Sequence, residues 1–212
     1  DKVLKESEVV TGTERSRNLK NVGNDIATAV ETYLKKNWQQ DRIKNYNWEF
    51  NLINKDAVNA WAMPGGKIAF YQGIMDIAQG KNGIAVVMGH EIAHAIARHG
   101  NERMSQMMAA KLGGQALSLA LHNKPTVTRN LVMQAYGMGS QVGMMLPFSR
   151  KHEAEADHMG LIFMAIAGYN PREAVDFWQR MKANSDKEKP PPFLSTHPPT
   201  ANRIKDLRSH MD

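Results

Sequence analysis

The segment Ile84-Ala-Val-Val-Met-Gly-His90-Glu91-Ile92-Ala93-His94-Ala-Ile-Ala-Arg-His99 constrains this chain more than any other. Two histidines four residues apart present their ring nitrogens to one point only on an α-helix, where i and i+4 share a face one turn apart. That helix is expected over about 84–99. Neutral imidazole suits zinc. Glu91, offset by one residue, stands beside such a metal, where its carboxylate can take a proton from a metal-bound water. With 8 His in 212 residues, the pattern arises by chance in roughly one or two per cent of such chains. The plain alternative is a core helix with packed histidines.

A catalytic zinc takes three protein ligands and keeps a position open for water. The third ligand is expected on another element, and Ser149-Arg150-Lys151-His152-Glu153-Ala154-Glu155-Ala156-Asp157 supplies it. Glu153 reads as the ligand. Asp157, four residues on, reads as the acceptor for the free N–H of a ligating histidine, which fixes the tautomer. The alternative, a solvated Glu-x-x-x-Asp turn, fits poorly with the apolar flanks Ala154, Ala156 and Leu161-Ile162-Phe163. His152 and His158 do not share a face with Glu153. His99 is rotated about 140° from His94 at 100° per residue. All three read as structural or surface residues.

Around these motifs the periodicities predict an α+β chain, mainly helical, with a small sheet before the central helix. Residues 1–15 read as a loose polar arm, followed by a helix from Arg17 to Gln40 on Leu19, Val22, Ile26, Val30 and Leu34. Trp48, Phe50 and Leu52 alternate with polar residues as a strand. Residues 59–63 and 67–71 read as two strands joined by Pro64-Gly65-Gly66, then a short helix over 73–78 closed by Gly80 and an Asn82-Gly83 turn. Helices are expected over about 102–121, 127–145, 150–167, 171–184, with Pro171 as the first residue, and 200–210. Lys189 to Thr200 reads as a loop. No repeat or linker argues for a second domain, so residues 1–212 are expected to form one.

Composition narrows the partners. The net charge of +6 rests on scattered Lys and Arg without the aromatic interleaving of a nucleic-acid site. The absence of cysteine excludes disulfides, thiolate ligands and a Cys nucleophile. Leu112–Leu121 is too short to span a bilayer. Asn130–Phe148 carries too many polar residues and reads as a buried or amphipathic helix. No transmembrane segment is therefore expected, while peripheral membrane association stays open. The 14 methionines, clustered from Met104 to Met145, are expected to fill irregular helical packing.

From Asn59 to Arg208 the chain resembles the M48 family of zinc metallopeptidases. The resemblance is carried by Asn59-Ala60, Pro64-Gly65-Gly66-Lys67-Ile68, Gly73-Ile74, His90–His94, Ser149–Asp157, Ser195-Thr196-His197-Pro198-Pro199 and Arg203-Ile204. It implies a zincin-like fold and one zinc ion held by His90, His94 and Glu153. It further implies Glu91 as base, Asp157 behind the ligands, and roles for His197 and Arg203. His197 is expected to donate to the developing oxyanion, with Arg203 assisting or holding the loop. A second reading has His197 ligating zinc in a resting state. Asn59, Ala60 and Trp61 are expected to form an edge strand that binds an extended substrate through its backbone; Trp61 reads equally well as core.

The resulting expectation is a zinc-dependent endopeptidase cleaving unfolded or misfolded polypeptides, using zinc-bound water activated by Glu91. The family includes soluble periplasmic members, so a bacterial envelope quality-control enzyme is expected. The missing N-terminal Met leaves room for a removed signal peptide or lipoprotein anchor in a precursor. The competing readings are an assembly factor or chaperone whose metal site gates a binding groove, and an enzyme acting on a small amide.

Overall fold

The computed structural model describes residues 7–185, 191–198 and 202–211. Residues 1–6 of the expected arm, the expected loop around 186–190 and 199–200, and the start of the helix expected from 200 lie outside the described residues. The chain divides into two compact units, Asp1–Ala97 with Ala154–Asp212, and Arg98–Glu153.

In the first unit, helix α1 (Glu14–Lys36) opens with a capping box in which the Thr13 side chain accepts from the Ser16 N–H. Its inner face, Leu19, Val22, Ile26, Val30 and Leu34, packs on strand β1 and on the central helix. Gly23 is required here, because a Cβ would lie 2.4 Å from the Phe50 ring. A short 3-10 turn (Gln40–Ile43) leads to β1 (Glu49–Ile53), followed by β2 (Ala60–Met63) and β3 (Lys67–Tyr71). The strand order is β1-β3-β2. β2 and β3 form the expected hairpin, while β1 lies parallel to β3 with Phe50 opposite Ile68.

The arm reaches this sheet. Val10 N–H donates to Leu52 O and Asn54 N–H donates to Glu8 O, so residues 8–10 are tied to the outer edge of β1 rather than loose. Helix α2 (Gln72–Ala78) ends at Gln79 in the left-handed region. Helix α3 (Lys81–Ala97) starts at once, so Asn82-Gly83 is its first turn and not a separate one. From Gly83 to Ala93 every residue of α3 is buried, as expected of a helix that is apolar all round. Two of its last carbonyls, Ala95 O and Ile96 O, accept from Tyr46 Oη and an Arg42 guanidinium N–H, which meets the hydrogen-bond need of a helix end.

The remaining helices of this unit complete the core. Helix α6 (Leu146–Ile166) enters the unit at Ala154. Helix α7 (Glu173–Ser185) begins two residues after Pro171, which sits in the preceding turn. Within the expected loop there is a short helix α8 (Pro192–Thr196), anchored by Phe193 N–H on Val58 O. Helix α9 (Arg203–Ser209) packs on α7.

The second unit is a helical hairpin of α4 (His99–Ala120) and α5 (Thr126–Ser140), followed by a π-helical turn (Gln141–Met145) and the first residues of α6. Its seam is built on Tyr136, whose hydroxyl donates to Ala110 O and whose ring lies over Gly113 and Gly114. Two expectations fail here. No residue of α5 is buried, so of the two readings of this stretch, buried or amphipathic, the buried one fails over Asn130–Ser140. Met104, Met107, Met108 and Met138 are all more than half exposed and fill no packing gap. No helix among the described residues is long and apolar enough to cross a membrane.

Candidate metal centre

α3 and α6 cross at two glycines. A Cβ on Gly89 would stand 3.0 Å from Gly160 O, and one on Gly160 would stand 3.1 Å from the His90 backbone nitrogen. This contact lets the helix carrying His90 meet the helix carrying Asp157 at backbone distance. The Nδ1 of His90 lies 2.9 Å from Asp157 Oδ1, so Nδ1–H donates to the carboxylate and Nε2 keeps its lone pair.

That lone pair faces two other rings. His90 Nε2 lies 3.1 Å from His94 Nε2 and 3.1 Å from His197 Nδ1. The other nitrogen of His197, Nε2, is 3.3 Å from Glu91 Oε1. With Nε2–H directed to Glu91, Nδ1 turns its lone pair toward His90 as well. These ligand-type nitrogens all lie within 4.8 Å of one another. Around a tetrahedral zinc with Zn–N near 2.0–2.1 Å, neighbouring ligand nitrogens are about 3.3 Å apart. The histidine set fits that ion in chemistry and in spacing.

The surroundings are built to hold this arrangement. His90, Glu91, Asp157, His197 and Arg203 are all buried. Arg203 clamps Asp157 with Nε on Oδ2 and Nη2 on Oδ1, both at 2.7 Å. Burial by itself raises the Asp157 carboxyl, but Arg203 and, after it, His90 outweigh this and hold it below the usual carboxylate range. The guanidinium carbon of Arg203 lies 3.4 Å from the centre of the Trp178 ring. Trp178 also meets His90 edge-on, and Phe193 stacks between the Trp178 and His197 rings.

The first unit thus brings together His90, Glu91, His94, Asp157, His197 and Arg203, all singled out in the sequence. Arg203 is engaged by Asp157 and Trp178, which makes it a brace for the site. Glu153 is buried and is the last residue of the second unit. It stands one helical turn ahead of Asp157, and α6 runs unbroken through both. Ala60 and Trp61 open β2, which ends the sheet among the described residues, and Asn59 directly precedes it. Trp61 is half-buried and meets Tyr71 edge-on. His99 and His152 are buried and stack on each other at 4.2 Å, with Glu102 3.0 Å from His152, a structural contact inside the second unit.

Sequence reasoning does not find Trp178, Phe193 or the Gly89–Gly160 crossing. Two glycines within helices adjoining the metal motifs were the available signal, since each costs about 0.5–1 kcal/mol relative to Ala unless a close approach requires it. Trp178 gave none, because a buried aromatic in an amphipathic helix is ordinary.

Residues 15–211 match Peptidase family M48. The chain is 32% identical over 179 residues to the mitochondrial metalloendopeptidase OMA1 of Schizosaccharomyces pombe, covering 84% of this chain and 51% of that protein. It is 31% identical over 214 residues to the Arabidopsis thaliana protein of that name, covering 97% of this chain and 42% of the relative. The beta-barrel assembly-enhancing protease of Yersinia pestis is 27% identical over 166 residues, covering 76% of this chain and 34% of that protein. The chain spans about half or less of the length of these relatives. With a family match over nearly its full length and the histidine cluster in place, the chain belongs to peptidase family M48, the zinc metallopeptidases.

Proposed function

We propose that this chain is a zinc-dependent endopeptidase acting on extended, unfolded or misfolded polypeptides. The observation that carries the reading is the convergence of the His90, His94 and His197 nitrogens with the Glu91 carboxylate beside them. A zinc ion held there would act as a Lewis acid on the scissile carbonyl and lower the pKa of a water. His90, His94 and Glu153 are the ligands in this reading. Glu153 is supported by its place on α6, one turn before the carboxylate that orients His90.

Glu91 accepts the proton of the attacking water on a carboxylate oxygen and passes it to the leaving amine. Asp157 holds the His90 proton on Nδ1, and Arg203 holds Asp157, so the ligand nitrogen stays deprotonated and aimed. His197 either donates to the developing oxyanion or ligates zinc at rest and leaves as substrate enters. The short α8 before it, fixed at Phe193 on Val58, makes such a movement a local one. The outer edge of β2 offers backbone groups to an extended substrate, a mode tolerant of side-chain identity.

The cell envelope is the proposed location, supported by the likeness to the Yersinia pestis protease. The likeness to mitochondrial proteins makes a eukaryotic organelle the competing one. The test compares wild type and Glu91→Gln on an unfolded model protein, with zinc content measured in both. Cleavage by the wild type alone supports the peptidase and its base together. Zinc in both and cleavage by neither would move the binding-groove reading ahead.

A further inference from the structure

The charge and exposed apolar surface of this chain are concentrated in one place. Of the twelve exposed large apolar side chains among the described residues, ten lie within Arg98–Glu153. The same 56 residues hold seven Lys and Arg against two Glu, a net of +5 out of +6 for the whole chain. The basic residues are scattered along the sequence but divide unevenly between the two units.

The apolar residues form stripes. On α4, Met104, Met108, Leu112 and Leu119 follow at four, four and seven residues, which places them along one face. On α5, Leu131 and Met138 stand seven apart on one face. These are not the faces that join the hairpin, which meet through Tyr136 on Gly113 and Gly114. α4 and α5 therefore carry an apolar surface in addition to their seam. Lys111 lies within the α4 stripe, and Lys124 lies in the turn between the helices.

Four kinds of partner could cover such a surface, and the charge chooses among them. A second copy would bring together two units that each carry a net charge of +5. Nucleic acid would use the charge and leave the apolar stripes in water. A membrane-spanning hairpin would need helices more apolar than these. An anionic bilayer surface satisfies both features, because it accepts apolar side chains at the headgroup boundary and basic side chains at the phosphates.

We propose that the α4–α5 hairpin is a membrane-docking element that binds the surface of an anionic phospholipid bilayer. Long Lys side chains within an apolar face suit that boundary, since the stem lies in the apolar layer and the ammonium reaches the headgroups.

The test is vesicle flotation of the full chain with phosphatidylglycerol–phosphatidylcholine vesicles and with phosphatidylcholine vesicles, at low and high salt. The expected result is at least tenfold stronger binding to the anionic vesicles, weakened by salt. Leu112→Ser with Leu119→Ser, and separately Lys111→Glu with Lys124→Glu, are each expected to lower binding at least tenfold while zinc content stays unchanged. Leu119→Trp adds a reporter without removing apolar surface, and quenching by bromine-labelled lipid should exceed that of the wild type. Equal binding to both vesicle types, or undiminished binding by both double variants, overturns the proposal. So does concentration-dependent dimerisation without lipid that the leucine variant abolishes, which would assign the face to a second copy.

Discussion

The guanidinium of Arg203 is held by Trp178, whose ring centre is 3.4 Å from its central carbon, and by Asp157, which it meets through two bonds of 2.7 Å. A planar cation lying on an aromatic face presents its N–H fork edge-on, the orientation a bidentate carboxylate needs. The relay then runs from Trp178 through Arg203 and Asp157 to the His90 ring. Trp178→Leu should leave the ligands in place yet weaken zinc binding by about 10–100-fold, the usual effect of losing a group that orients a ligand. A chelator-competition titration measures this. Arg203→Lys should show a similar loss, because a point charge cannot replace the fork.

The helix crossing makes a second prediction. Gly160→Ala introduces a Cβ 3.1 Å from the His90 backbone nitrogen, with backbone and not a flexible side chain as the obstacle. α3 and α6 must part, at a cost of about 1–3 kcal/mol. Asp157 then draws away from His90. Thermal melts should show the lost stability, and the same titration should show weakened zinc binding. Gly100→Ala, where a Cβ meets nothing within 4 Å, serves as the control.

His197 can be separated from the ligands that remain without it. If it donates to the oxyanion, His197→Ala should retain zinc through His90, His94 and Glu153 while turnover falls by about 10²–10³-fold. KM should change little. Unchanged turnover with zinc retained would remove His197 from the chemistry.

A small pH effect is expected at His158, midway along α6. The ring centroids of His158 and His210 lie 4.4 Å apart. Partial desolvation of the exposed His158 ring, and then the charge of His210, lower its pKa from the ordinary value. A lowered folded-state pKa means that the unfolded chain binds this proton more readily. The associated stability is present above the ordinary histidine pKa near 6.5 and is lost as pH falls through the lowered value. The melting temperature should therefore drop from pH 7 to pH 5 by more in the wild type than in His210→Gln.

Much of the site could be read along the chain because its key relations are local. His90 and His94, and likewise Glu153 and Asp157, are single helical turns, and a 3.6-residue period writes such pairs into sequence spacing. The strands β2 and β3 were legible for the same reason, being joined by the short turn Pro64-Gly65-Gly66. The methionines of the hairpin were misread because composition says that an apolar side chain seeks cover and does not say whether this chain supplies it.

Relations between distant residues were settled in three dimensions. The parallel pairing of β1 with β3, across an intervening strand, has no local signature. Nor does the choice of Arg203, 46 residues beyond Asp157, as its clamp, or of Trp178 as the platform beneath it. Spacing along the chain was enough to say which residues could bind a metal and which turn of helix each would occupy. Packing brought Nδ1 of His90 to a carboxylate and turned His197 toward His90, because those contacts depend on how closely two helices approach, and here two glycines without side chains set that distance.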